Sequence, residues 1–161
     1  MSIFKRFYLK IISIGNTLQS PFLLAIRLFW GMTFFMTGLG KLMNIDPVIG
    51  YFTSLNIPMP AFNAYLASYV ECIGGACLFL GIASRLVAIP LMCNMIVAYL
   101  TAETQSIVML FQNPLNFVTR TPFTFLFASL IIFIFGPGIF SIDYLMEKYV
   151  FKNTFKKEPK I

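Results

Sequence analysis

Glu71 has the strongest claim to chemistry in this sequence. It is the single charge in an otherwise apolar stretch, residues 62–82. A helix started at residue 62 raises Glu71 by about 14 Å, close to the centre of a hydrocarbon slab about 30 Å thick. A carboxylate at that depth costs roughly 2.5–3.5 kcal/mol on insertion scales unless it is paired, protonated or wetted, and such residues mark proton, ion or ligand sites by default. The small residues Ala67, Ser68, Gly74 and Gly75 beside it let another backbone approach closely. This helix is therefore expected inside a bundle, with Glu71 turned towards its neighbours. Its candidate countercharges are Arg27 and Lys41. In a simple antiparallel hairpin Arg27 sits about 9 Å below Glu71 and Lys41 about 12 Å above, so depth favours Arg27. Both stems are long enough to reach the midplane or to snorkel away from it. Counting through a short turn at Arg85 puts Tyr99 level with Glu71, as a hydrogen-bond donor. These groups outline a polar pocket between three helices that takes a headgroup, a quinone or a proton. The plainer reading is a buried ion pair that only fixes helix packing.

The three cysteines, Cys72, Cys77 and Cys93, all lie within apolar stretches. Cys72 and Cys77 are about 140° apart around a helix and cannot bridge each other. Cys77 and Cys93 are symmetric about Arg85 and come out level in a hairpin, which makes them a candidate redox pair; the alternative is two small apolar fillers. There is no CxxC, and an odd count gives no disulfide framework. The chain has no histidine. That removes histidine-based metal ligation and proton relays, and no metal site is expected. Asn94 reads as an interhelical hydrogen-bonder. Gly136-Pro137-Gly138 is too short to cradle a phosphate and reads as a turn, with Ser141 and Asp143 placed to cap a following helix.

These residues must be positioned by membrane helices. Hydrophobic residues make up 58% of the 161 and charged residues 11%, with a mean hydropathy of +0.82, which no ordinary soluble domain shows. The net charge of +6 does not form a groove-reading patch, so nucleic acid is not an expected partner. We expect a single membrane domain over 1–161, all-α, an antiparallel four-helix bundle with spans at about 22–43, 62–82, 86–102 and 123–135. On the first span, Arg27, Gly31, Phe34, Gly38 and Lys41 recur at 4-3-4-3 spacing and share one face, which should point inwards. Residues 3–14 mix apolar and cationic side chains and read as a short interfacial helix on an anionic leaflet, or as a basic tail. Gly15-Asn16 and Ser20-Pro21 are expected to break it from the first span. Residues 46–61 and 103–121 read as connections, the second with a short interfacial helix. Lys5, Arg6 and Lys10 lie at one end, Arg85 in the central turn, and Lys148, Lys152, Lys156, Lys157 and Lys160 in the tail. The positive-inside rule then puts both termini in the cytoplasm, with a C-terminal cytoplasmic helix. No cleavable signal peptide is evident.

Taken in order, Arg27-x3-Gly31-x6-Gly38-x2-Lys41, Ile57-Pro58, Glu71-x2-Gly74-Gly75-x5-Gly81-x3-Arg85 and Gly136-Pro137-Gly138-x2-Ser141-Ile142-Asp143 resemble the DoxX family over about residues 27–145. The resemblance implies a small bacterial inner-membrane protein with Arg27, Lys41, Glu71 and Arg85 lining its polar centre. The family takes its name from a subunit of a thiosulfate:quinone oxidoreductase, and other members are associated with thiol and oxidative-stress systems. Many members carry a histidine near the end of the third span, where this chain has Thr101-Ala102-Glu103. That weakens the carry-over of histidine-dependent redox chemistry, and the resemblance by itself does not imply thiosulfate oxidation. The function expected is that of a membrane subunit or partner in quinone- or thiol-linked electron transfer, at most a non-autonomous part of an oxidoreductase, with quinone as a diffusible substrate. The alternative is a non-enzymatic adaptor or carrier that uses the same pocket for a small hydrophobic ligand.

Overall fold

A computed structural model describes residues 3–149. Among these the chain is all-helical: α1 (Ile3–Met43), α2 (Ile45–Ser54), α3 (Pro60–Leu80), α4 (Ser84–Ala102), α5 (Thr104–Val108), α6 (Pro114–Val118), α7 (Thr121–Phe135) and α8 (Ile142–Tyr149). The protein is a helical membrane bundle. α1, α3 and α4 are long and apolar enough to cross a bilayer, and α7 is a shorter apolar helix of 15 residues, about 22 Å against a slab of about 30 Å. α1 packs on α3, α3 on α4, α4 on α7, and α7 returns to α1. The core holds Phe34, Leu78, Leu91, Met95, Phe125 and Ile132, with the Phe34 and Phe125 rings 4.4 Å apart edge to face.

Two elements depart from the sequence reading. The break expected at Gly15–Pro21 is absent: α1 runs unbroken for 41 residues with Pro21 inside it. Proline removes one backbone donor, which here costs the Thr17 carbonyl its partner but leaves the rest of the ladder intact. Residues 4–19 are all exposed, so little burial stands to be lost or gained where the helix continues through Pro21. The region 46–61 is not a loop throughout, because α2 fills most of it after a single intervening residue, Asn44. Asp46 sits in the first turn of α2, where the helix dipole favours a negative charge. Pro47 follows it near the helix start, where a missing N–H costs little. α2 packs on α3. The tail residues Lys152, Lys156, Lys157 and Lys160 lie outside the described residues; α8 and Lys148 are within them.

The inward seam of α1 is as the spacing predicts. Arg27, Gly31, Phe34 and Gly38 are buried, and the glycines let α1 touch the backbone of α3. A Cβ on Gly38 would come 2.8 Å from Cys72 Cα, and one on Gly31 would come 2.6 Å from Phe79 N. A Cβ on Gly75 would strike the Gly31 carbonyl at 2.7 Å. The helices run antiparallel at a separation that no larger residue allows.

Candidate polar centre

Glu71 is 3% exposed and joins three helices. Lys41 Nζ of α1 donates to both carboxylate oxygens, 2.7 Å to Oε1 and 2.6 Å to Oε2. Asn94 Nδ2 of α4 donates to Oε1 at 3.0 Å. The partner is thus Lys41 and not Arg27. Depth points to the wrong cation because a simple hairpin sets the ends of α1 and α3 level. Close contact of Gly38 with Cys72 instead brings Lys41 beside Glu71, and the first turns of α3 overhang the end of α1 and pack on α2. The two side chains differ in access: Lys41 is 37% exposed and Glu71 4%. The cation reaches the surface of the bundle, whereas the acid does not.

Arg27 works at the other end of α3. Its Nε donates to Leu78 O at 3.0 Å and its Nη2 to Phe79 O at 3.3 Å. Nη1 reaches Pro137 O at 2.8 Å and Phe140 O at 3.0 Å. The first two are carbonyls of the last turn of α3, the negative end of the helix, where Leu78 O also accepts from the Gly81 N–H at 3.1 Å. A planar fork with five donors suits this position as a lysine would not. Asp143 does the complementary task, accepting from Ala83 N at 2.6 Å and Ser84 N at 2.8 Å. It therefore caps α4, whose own N-cap is Ala83 with no acceptor in its side chain. Ser141 caps α8, accepting from Tyr144 N at 3.1 Å. Gly136 and Gly138, both at φ +77°, turn the chain so that the Pro137 carbonyl meets Arg27.

The remaining candidates lie apart from Glu71. Tyr99 donates to Phe117 O at 2.8 Å and stacks on the Phe117 ring. The symmetric count about Arg85 placed the turn too late: Gly81 closes α3 and α4 starts at Ser84, which brings Asn94 and not Tyr99 opposite Glu71. Arg85 is exposed and donates to Ile134 O at 3.4 Å. The implied single centre of Arg27, Lys41, Glu71 and Arg85 is therefore two clusters. All three thiols are free, Cys77 half-buried and Cys93 exposed. Asn94 takes the face of α4 towards α3, so Cys93 is turned roughly 100° from it. Sequence reading also missed the pair Glu103–Arg120 at 3.3 Å, with Ser106 donating to Glu103 Oε2 at 3.1 Å. Both charges flank the connection 103–121, which is the one signal that could have paired them.

The sequence profile of the DoxX family matches residues 22–104, just over half of the chain and the part that carries Arg27, Lys41, Glu71 and Asn94. The chain belongs to the DoxX family. Two relatives extend the comparison. "Putative oxidoreductase CatD" of Bacillus subtilis (strain 168) is 33% identical over 83 residues, 52% of this chain and 60% of CatD. "Uncharacterized membrane protein Rv3486" of Mycobacterium tuberculosis (strain ATCC 25618 / H37Rv) is 28% identical over 140 residues, 80% of this chain and 83% of that one. The chain thus spans less than two thirds of CatD. No solved structure matches it. The stretch of α1, α3 and α4 that builds the Lys41–Glu71–Asn94 cluster lies inside the DoxX match, whereas the Gly136–Asp143 turn lies beyond it.

Proposed function

We propose that this DoxX-family chain is a bacterial inner-membrane partner of quinone- or thiol-linked electron transfer, with Glu71 as the group that holds or passes a proton. The observation that carries this reading is the asymmetric pair: a buried acid at membrane depth, held by a cation that is one-third exposed. Quinone reduction takes up protons with its electrons, and an acid released by movement of Lys41 is suited to that need. The oxidoreductase name of CatD supports the direction of the reading. Electrons would come from a partner enzyme or from the diffusible quinone itself, since the chain offers recognisable proton chemistry but no sequence motif for a bound redox group.

The test is Glu71→Gln, which keeps shape and hydrogen bonding and removes the titratable charge. Quinone reduction by membranes carrying the variant should fall at least tenfold at equal folded protein. Unchanged activity would remove Glu71 from the reaction. Co-purification of a lipid or solute in place of an oxidoreductase would favour the carrier reading.

A further inference from the structure

The end of the bundle that Arg27 and Asp143 tie together holds a cavity of about 620 Å³, within the range of roughly 300–1,000 Å³ typical of small-molecule sites. It lies between residues 19–23 of α1, the start of α4, the turn at 136–139 and α8. Along α3 this is about 15 Å of helix rise from Glu71, so it is separate from the polar centre above.

Its charged walls do not neutralise one another. Asp143 is spent on the two N–H groups at the start of α4. Arg85 makes one long bond, to Ile134 O at 3.4 Å, which leaves most of its guanidinium donors free. Glu147 has no hydrogen bond or ion pair among the described residues. An arginine and a glutamate therefore line the same cavity without meeting. The other side of the wall is apolar, with Leu23, Leu86, Phe135 and Ile139. Leu86, Phe135 and Ile139 are at least half exposed, so the cavity opens beside a surface suited to acyl chains.

A ligand for these walls needs an oxyanion for Arg85, whose fork matches phosphate in a bidentate fashion. It also needs a donating cation for Glu147. A simple phosphate would meet two carboxylates, and a simple amine would meet the guanidinium; a zwitterion satisfies both charges at once. We propose that this cavity binds a phosphoethanolamine group, the phosphate on Arg85 and the ammonium on Glu147. The group occurs on phospholipids and on water-soluble glycerol phosphodiesters, and the apolar rim suits the lipid form.

The test is native mass spectrometry of the full chain in detergent, with equimolar phosphatidylethanolamine, phosphatidylcholine and phosphatidylglycerol of the same acyl chains. The wild type should retain phosphatidylethanolamine about tenfold over the other two, the discrimination expected from one charge-assisted hydrogen bond. Glu147→Gln should abolish the preference and leave total phospholipid binding in place. Arg85→Gln should weaken all three lipids about tenfold. Displacement by millimolar glycerophosphoethanolamine would identify the soluble source, and resistance to it the lipid. Equal retention of the three lipids by the wild type, or a preference untouched by both variants, would overturn the proposal. Both residues are exposed, so folding, checked by the melting temperature, should be unaltered.

Discussion

A single buried carboxylate accounts for the placement of three side chains on three helices. With Lys41 bonded to both oxygens of Glu71, removing the cation alone strands a charge in a low-dielectric core. Lys41→Met should therefore destabilise the protein by about 3–5 kcal/mol, while the neutral combination Lys41→Met with Glu71→Gln should recover most of that loss. Unfolding by SDS titration in mixed micelles measures both. Arg27 makes a different case. Its hydrogen bonds all go to carbonyl oxygens, with Asp143 near enough to add a Coulombic attraction, so Arg27→Lys keeps the charge and should lose the forked contacts to Leu78, Phe79, Pro137 and Phe140 at about 1–3 kcal/mol. The need of Glu71 for a partner was legible in the sequence, because it is the one charge in the apolar stretch 62–82. Which cation answered it was not, since the choice between Arg27 and Lys41 depends on the offset of α1 against α3, a property of backbone contact.

That offset is an element-scale feature, set by glycine. Gly38→Ala would drive a methyl group into the backbone of Cys72, which cannot give way as a side chain can, and should cost about 1–3 kcal/mol or more. Gly40, two residues on, has open space for at least 4 Å around the place a methyl group would take. Gly40→Ala should be neutral, or stabilise by up to about 1 kcal/mol through helix propensity. Comparing the two melting temperatures separates packing from propensity. The turn between α3 and α4 rests on a distant residue, and Asp143→Ala should cost about 1–2 kcal/mol as α4 loses its surrogate cap. The 4-3-4-3 seam of α1 could be read from spacing alone, as could the inward face of α3. The register of α4 could not: moving the centre of the turn from Arg85 to between Ile82 and Ala83 exchanged Tyr99 for Asn94 as the residue level with Glu71. Nothing local announces that shift, because the acceptor that starts α4 belongs to Asp143, far along the chain. The missing break at Pro21 has the same character, since one lost hydrogen bond does not end a helix that nothing else interrupts.

At the scale of the molecule, the bundle presents apolar side chains outwards on every helix that crosses, while its main polar groups besides the Glu103–Arg120 pair gather in one cluster around Glu71 and a second around Arg27 and Asp143. By the distribution of lysine and arginine, the second cluster would face the cytoplasm. In a background with Cys72, Cys77 and Cys93 replaced, a cysteine at Ser54 should react with an impermeant maleimide in intact cells, and one at Lys148 should react only after lysis. Both positions are exposed, so failure of this pattern would invert or refute the topology and leave the fold standing. The proposed function depends on something narrower, that the Lys41–Glu71 pair does more than hold helices together. The neutral double variant, Lys41→Met with Glu71→Gln, separates the two roles because it preserves packing and abolishes titration. Quinone reduction by membranes that carry it, measured against membranes with the wild type at matched melting temperature and abundance, is the most direct test of the proposed role. A proton-handling Glu71 predicts a stable protein with activity reduced at least tenfold; a stable protein with wild-type activity would contradict it.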